Sequence, residues 1–277
     1  LVGSEMCIRD RLYSEQLVNE KNPAFDFSGW NADTDWQDEV LQNGFITNNN
    51  ISVTGASEKH SFYLGMGYSY EQGNIKHEKF SKITLNASNE YKITDKIKVG
   101  FQFNGARMLP ADSKSVLNAV RTTPIAPVFN EEYQLYAALP EFQKAQMMNP
   151  MVDVDLKANT TRAENYRASG NIYGEVDFLE HFNFRAVFSM DYGSNNGRTY
   201  QPIIKVYDNT VKGNVATLGT GKTEVSQFKE NETKVQSDYV LTYTNSFGDH
   251  NLTATAGFTT YCLLYTSPSP RDAHESR

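Results

Sequence analysis

The most regular feature of the chain is an alternation of apolar and polar residues, clearest between residues 60 and 107. A repeat of two residues, sustained over about ten positions, is typical of a β-strand with one apolar and one polar face. The intervening positions carry mostly lysine, asparagine, glutamate, serine, threonine or glycine. The apolar positions of three successive stretches are Phe62, Leu64, Met66, Tyr68 and Tyr70; Ile83, Leu85, Ala87, Tyr91 and Ile93; and Ile97, Val99, Phe101 and Phe103.

The same alternation predicts eight strands between residues 48 and 261, and it orders their connections by length. Short and long connections alternate strictly along the chain, as a meander that crosses the same boundary repeatedly would require. Bacterial outer-membrane barrels have short periplasmic turns and long extracellular loops. The predicted tight turns are residues 57–59, 94–95, 179–181 and 247–249, and the longer connections are residues 72–79, 108–162 and 193–233.

The pattern therefore predicts an all-β fold, a partial transmembrane antiparallel β-barrel of about eight strands. The strands are rich in aromatic residues and about long enough to cross a bilayer when tilted. The apolar faces would contact lipid and the polar faces would line a wet lumen. The alternative is a soluble barrel or sandwich with the apolar faces inside. The residues predicted on the convex, lipid-facing side are Phe62, Leu64, Tyr68, Ile83, Leu85, Val99, Phe101, Phe184 and Phe188.

The two ends of the chain resemble translated sequencing adaptor. Residues 1–10 read LVGSEMCIRD and residues 263–271 read LLYTSPSPR, and complementary strands of one DNA can encode both. Natural termini have no reason to be complementary, and this DNA resembles a transposase adaptor used in sequencing libraries. The alternative is a genuine Ser-Pro-rich tail.

We therefore predict that residues 1–12 and 262–277 are adaptor artefact without consistent packing, and exclude them from fold reasoning. This exclusion removes Cys7 and Cys262, so that no disulfide is predicted. Residues 13–47 would then lead into a barrel fragment formed by residues 48–261.

Composition narrows the class of protein. The formal net charge is −7 and stays −7 without the two ends, because they carry equal numbers of acidic and basic residues. An acidic chain with 12% aromatic residues argues against a nucleic-acid partner. The mean hydropathy is −0.55, and no apolar run approaches the length of a membrane helix. This excludes a helical inner-membrane protein but not a barrel, whose strands alternate.

The candidate chemistry is sparse. Asp33 and Asp35 stand close together, as do Asp153 and Asp155, but neither pair has the oxygen-ligand density or the glycine of a calcium loop. The histidines lack zinc spacing, and no Ser-His-Asp or paired-carboxylate arrangement stands out. We therefore predict no metal, no cofactor, no catalytic residue and no enzymatic activity.

Three aromatic residues in the connection 108–162 are the candidate contacts for a ligand or partner: Tyr133, Tyr136 and Phe142. Aromatic rings of this kind stack on sugar rings. The alternative is that they pack the loop against itself.

Four short motifs carry a family resemblance. Residues 34–40 read TDWQDEV, residues 43–45 read NGF, residues 50–59 read NISVTGASEK, and residues 71–75 read EQGNI. With these motifs the chain resembles the SusC/RagA-type family of TonB-dependent outer-membrane transporters. The resemblance covers about residues 20–261, and Ala56 departs from it, since a second glycine is usual there.

The resemblance implies a barrel of 22 strands closed by an N-terminal plug, of which this chain would be an internal fragment lacking the plug. It also implies an importer of oligosaccharides or peptides in the outer membrane of a Gram-negative, Bacteroidota-like cell. TonB would supply the energy, and a SusD-like surface lipoprotein would close the mouth. The alternatives are a passive porin, which an upstream plug would exclude, and a soluble carbohydrate-binding β-domain.

Overall fold

The computed structural model describes residues 30–112, 114, 116–158 and 160–266. Strands dominate it, and the helices are single turns within the connections. The elements in chain order are α1 (Trp36–Val40), β1 (Phe45–Ala56), β2 (His60–Gln72), β3 (Lys79–Thr94), β4 (Ile97–Leu109), α2 (Leu117–Arg121), β5 (Phe129–Asn130), β6 (Leu135–Tyr136), α3 (Glu141–Lys144), a π-helix (Val152–Leu156), β7 (Thr161–Phe178), β8 (Phe182–Gln201), β9 (Ile204–Tyr207), β10 (Val215–Leu218), β11 (Glu224–Phe247) and β12 (His250–Thr266).

Eight of the strands form one antiparallel meander in the order β1-β2-β3-β4-β7-β8-β11-β12. Each large strand pairs with the next large strand along the chain, so successive connections lie at opposite ends of the sheet. The four tight turns share one end, and residues 73–78, 110–160 and 202–223 share the other. The predicted all-β class is confirmed, with β1 and β12 as open edges.

Strand register brings the predicted apolar positions to one face of the sheet. Residues paired across antiparallel strands project their side chains to the same side. One row across all eight strands is Val53, Leu64, Ala87, Phe103, Gly170, Met190, Val235 and Cys262. The rows on either side of it, two residues away along each strand, continue the pattern, and we call this side the apolar face.

No layer of the described structure covers the apolar face. Ile172 is 62% exposed and Phe258 is 63% exposed, values that a sandwich core would not allow. Of the nine residues predicted to face lipid, Leu85 and Phe184 are half-buried and the other seven are exposed. The sandwich alternative requires these side chains to lie between two sheets, and they do not.

The opposite side, the polar face, carries a network of charged and hydroxyl groups that crosses strands. The Tyr173 hydroxyl donates to Glu90 at 2.7 Å, and the Arg185 guanidinium lies 4.6 Å from the centre of the Tyr173 ring. A Cβ atom at Gly100 would lie 2.5 Å from Cζ of that ring. Glycine is required there because the ring crosses β4 to reach Glu90 on β3.

The buried apolar core lies in the connections and not on the sheet. One cluster combines α1 with the connection 110–160, and a second joins that connection to β9. No helix among the described residues is long and apolar enough to cross a membrane. The members of the two clusters are Trp36, Val40, Ala119, Ala126, Leu139, Met151 and Val154, and Val152, Ile204 and Val206.

Several strands are longer than the sequence predicted. β1 begins at Phe45, three residues inside the segment 13–47 that we expected to lead into the barrel. We expected a connection over residues 193–233, but β8 continues to Gln201 and β11 begins at Glu224, which leaves residues 202–223. The extension is polar, and its backbone groups pair from Gly193 opposite Glu232 to Gln201 opposite Glu224. Backbone pairing needs no apolar face, so the end of the apolar alternation did not mark the end of the strands.

The C-terminal boundary also differs. We expected residues 262–277 to lack consistent packing, but β12 continues to Thr266, and Cys262 pairs with Val235. The prediction is wrong for residues 262–266, because the long β11 offers an unpaired edge to any extended segment that follows. This pairing does not test whether adaptor DNA encodes these residues, so that origin stays a prediction. Residues 1–12 and 267–277, including Cys7, lie outside the described residues.

Candidate ligand- and partner-contact surface

The long connections pack into one body at a single end of the sheet. We define the loop module as residues 30–44, 73–78, 110–160 and 202–223, taking only the described residues among them. Both core clusters belong to the module. The surface available to a ligand or partner at this end is therefore a packed structure instead of a set of separate loops.

The TDW motif anchors the chain that enters the first strand. Asp35 caps α1 by accepting from the backbone N–H groups of Gln37 at 3.0 Å and Asp38 at 3.2 Å. Such a cap satisfies N–H groups that have no partner within the helix. Trp36 is 2% exposed, and its Nε1–H donates to the carbonyl oxygen of Thr123 at 2.8 Å. The motif is thus structural, tying α1 to the connection 110–160.

The EQGNI motif joins the same body. The Gln42 side-chain amide donates to the carbonyl oxygens of Gly73 and Ile75, each at 3.0 Å. The backbone N–H of Lys76 donates to the Val40 carbonyl at 3.0 Å. These bonds fasten the connection after β2 beneath α1.

A buried asparagine organises the centre of the module. Asn149 is 1% exposed, and its amide donates to the carbonyl oxygens of Val128 at 2.8 Å and Ala137 at 2.9 Å. Its Oδ1 accepts from the backbone N–H of Met151 at 2.9 Å. Because a buried polar group without partners is costly, one side chain here fixes the relative position of three backbone segments.

An ion pair fastens the connection 202–223 to the connection 110–160. Lys144 Nζ lies 3.2 Å from Asp208 Oδ2 and 2.7 Å from Thr210 Oγ1, and Lys144 also pairs with Glu141. Burial acts to raise the pKa of Asp208, but hydrogen bonds from Thr210 and Lys144 outweigh burial and lower it. Burial likewise opposes the charge of Lys144, yet its bonds to Glu141 and Asp208 raise its pKa.

The three predicted contact residues all lie in the module, where each is half-buried. Tyr136 donates its hydroxyl to Asp155 at 2.5 Å and packs edge-on against Phe129, while burial and then that hydrogen bond raise its pKa. The Tyr133 hydroxyl accepts from Asn214, and its ring centre lies 5.1 Å from that of Tyr207. Tyr136 thus bonds within its own connection, as the alternative interpretation expects, whereas Tyr133 contacts the connection 202–223. Their contact with a ligand, and that of Phe142, stays a prediction.

The acidic pair in the connection 110–160 has partners within the module. Asp153 bonds to Lys157 at 2.9 Å, and Asp155 accepts from Tyr136 and lies 2.9 Å from His77. Among the residues that the structure describes, no group of three or more His, Cys, Asp or Glu side chains is arranged to hold a metal ion.

Sequence reasoning missed Asn149, Lys144 and Asp208. An isolated asparagine or a lysine in a long loop carries no local signal, since its partner is set by how two distant connections fold together. A partial signal was available for Trp36, because a tryptophan in a polar stretch, directly after a helix-capping aspartate, suggests a buried anchor.

Several known proteins are similar to this chain. No protein-family model matches it. TonB-dependent receptor P26 of Formosa agariphila is 26% identical over 228 residues, covering 80% of this chain and 22% of that receptor. TonB-dependent receptor SusC of Bacteroides thetaiotaomicron is 24% identical over 194 residues, covering 62% of this chain and 19% of SusC. The chain resembles TonB-dependent receptors. It spans about a fifth of the length of the curated relatives it matches.

The fold agrees with this resemblance. The structure of the RagAB peptide importer in its open-open state matches with a TM-score of 0.67 and 16% identity, covering 91% of this chain and 29% of that chain. The closed-closed state matches with a TM-score of 0.65 over 87% of this chain. The resemblance to SusC and RagA predicted from the four motifs is therefore confirmed. The curated relatives are named as receptors.

Proposed function

We propose that the chain forms part of the barrel wall and outer rim of a TonB-dependent outer-membrane importer. The observation that carries this proposal is the uncovered apolar face of a single-layered sheet, combined with the sorting of all long connections to one end. An exposed apolar face of this extent marks a surface that a partner covers. In an outer-membrane barrel with short turns at one end and long loops at the other, that partner is lipid. The loop module would then be extracellular, and the tight turns periplasmic.

Energy from TonB distinguishes this proposal from a passive porin. The relatives are named TonB-dependent receptors. The plug and the TonB contact that the family resemblance implies would belong to other regions of the intact protein. In the intact protein, uptake should stop when TonB is deleted from the cell. Uptake that continues at the normal rate without TonB would favour the porin.

The cargo we propose is an oligosaccharide or peptide, held with the help of a SusD-like lipoprotein. The support is the resemblance to SusC and to a peptide importer, together with a packed module at the barrel mouth. A preorganised rim loses little conformational entropy when a partner docks on it. Tyr133, Tyr136 and Phe142 are the aromatic side chains that we expect to contact the lid or cargo.

Thiol labelling of the intact transporter in whole cells tests the orientation. Lys212 in the loop module and Lys59 in a tight turn are both exposed, so each position should tolerate cysteine. A maleimide that cannot cross the outer membrane should label Lys212→Cys in whole cells and should label Lys59→Cys only after lysis. Labelling of Lys59→Cys with protection of Lys212→Cys would invert the topology and overturn the proposal.

Binding measurements test the aromatic contacts separately. In the intact transporter, Tyr133→Ala and Phe142→Ala should weaken binding of the lipoprotein or the cargo while the barrel assembles normally. Tyr166→Ala, on the apolar face, is the matched control and should leave this binding unchanged. Unaltered binding in both loop variants would remove these residues from the contact surface.

A further inference from the structure

A cluster of cationic side chains lies on the apolar face, next to the loop module. A cavity of about 450 Å³ opens there between the ends of β3, β4, β7 and β8, and Lys79, Arg107, Arg162 and Arg198 all line it. Arg107 pairs with Tyr166, and Arg162 pairs with Arg198. Each of the three arginines lies an even number of residues from the apolar row on its own strand, so all three are on the apolar face. The band of apolar side chains therefore ends in a basic margin at the side of the long loops.

Among the described residues that line the cavity, two carboxylates offset these charges. Glu164 accepts from Arg107 Nε at 2.6 Å, and Asp112 is already paired with Lys114 at 3.1 Å. Arg162 and Arg198 face each other directly across β7 and β8, and both are exposed. Like charges directly opposite on neighbouring strands destabilise a sheet, so an anion between these two guanidinium groups would relieve their repulsion.

An apolar groove continues from the basic cavity along the same face. Its upper part, of about 530 Å³, shares Arg107 and Asn196 with the cavity, and its lower part, of about 400 Å³, shares Ala168 and Tyr192 with the upper part. Small residues at Gly105, Ala168 and Gly170 line it between bulkier neighbours. The combined surface is a basic pocket that continues into a shallow apolar channel.

The length of this channel suits one leaflet of a bilayer. From Arg107 to Phe101 the strand advances six residues, which is about 20 Å at roughly 3.3 Å per residue. A strand tilt of about 45° reduces this to a depth of about 14 Å, close to half of a hydrocarbon core of about 30 Å. A headgroup in the basic cavity would thus place its acyl chain within a single leaflet.

We propose that this surface binds an anionic membrane lipid, with its phosphate between Arg162 and Arg198 and one acyl chain in the groove. Guanidinium groups suit this role because they bind phosphate oxygens through paired, charge-assisted hydrogen bonds. The inference rests on the proposed function, because it requires the apolar face to lie in the membrane.

Native mass spectrometry of the intact transporter tests the headgroup site. The probes are phosphatidic acid and phosphatidylcholine with identical acyl chains. The wild-type protein should bind phosphatidic acid about tenfold more tightly, a difference of about 1.4 kcal/mol. The double variant Arg162→Gln/Arg198→Gln should lose this preference. Each single variant should reduce it, and these variants provide the test if the double variant does not assemble.

Arg121→Gln is the matched control, since Arg121 is exposed in the loop module and does not line the cavity. It should keep the full preference for phosphatidic acid. An unchanged preference in the arginine variants of the cavity would overturn the inference. So would complete displacement of the lipid by inorganic phosphate at millimolar concentration, because the site would then select a free anion instead of a lipid.

Two further measurements separate the groove from the proposed function. Ala168→Trp should fill the channel and weaken phosphatidic acid binding while the arginines remain in place, and unchanged binding would remove the groove from the inference. Ile172→Arg, described below, reports independently whether the apolar face meets lipid. If Ile172→Arg impairs assembly but the wild-type protein shows no preference for phosphatidic acid, the lipid site is wrong and the proposed function still holds.

Discussion

The sheet and the loop module of this chain are stabilised in different ways. The sheet has a single layer, its strands are held by backbone ladders, and its apolar side chains remain exposed. The loop module has little regular structure but contains the buried core, including Trp36, Asn149 and Val152. The membrane location that we propose for the sheet accounts for the difference. A wall that lipid covers needs no internal core, whereas a loop structure in water must bury its own apolar side chains.

The largest effect that would sharpen this comparison is expected at Trp36. Trp36→Ala should destabilise the loop module by about 3–5 kcal/mol, because it creates a cavity and removes the hydrogen bond to Thr123. Hydrogen exchange of the intact transporter should show faster exchange in residues 116–158 with unchanged protection in β7 and β8. Equal loss of protection in both regions would mean that they unfold as one unit.

The next effect concerns the buried amide. Asn149→Ala should cost the loop module about 2–4 kcal/mol, because the Ala137 carbonyl loses its amide donor and the Met151 N–H loses its acceptor, while the Val128 carbonyl keeps only its bond from the Ala137 N–H. The matched control is Asn171→Ala on the polar face, whose amide bonds to Gln102 at 3.3 Å. We expect limited proteolysis to cut the module of the first variant faster and to leave the control unchanged.

A charge placed on the sheet tests what covers it. Ile172→Arg should impair membrane assembly by about 2–4 kcal/mol if the residue lies near the bilayer midplane. Asn171→Arg, one residue away on the polar face, should have a much smaller effect. Assembly can be followed by the shift in gel mobility between heated and unheated samples. Equal tolerance of both arginines would contradict a lipid-facing apolar face.

The smallest effect is a dependence of the loop module on pH. The pKa of Asp208 is lowered below its ordinary value of 3.8, so its ion pair stabilises the folded module above that value. This contribution should be lost as the pH falls through the lower pKa of the folded state. The thermal stability of the module should therefore fall with acid more steeply in the wild type than in Asp208→Asn. Parallel pH profiles for the two proteins would exclude this linkage.

Much of the sheet could be predicted from the sequence, because successive side chains of a strand point to opposite faces. The period of two predicted which residues share a face, and register confirmed this for Leu64, Phe103 and Met190 in a single row. Strand ends were less predictable. The extension of β8 to Gln201 and of β12 to Thr266 depends on backbone pairing, which leaves no apolar signal.

The amino-acid sequence by itself determined the alternation of faces and the order of short and long connections, since both follow from residue spacing along one strand or turn. Only the tertiary structure decided how the loop module packs. Its key contacts join residues far apart, as in the bond from Trp36 to Thr123, 87 positions away, and from Lys144 to Asp208, 64 positions away. The basic cavity likewise needs side chains from several strands. Such partners are selected by packing and by the cost of burying polar groups unpaired, which no local pattern records.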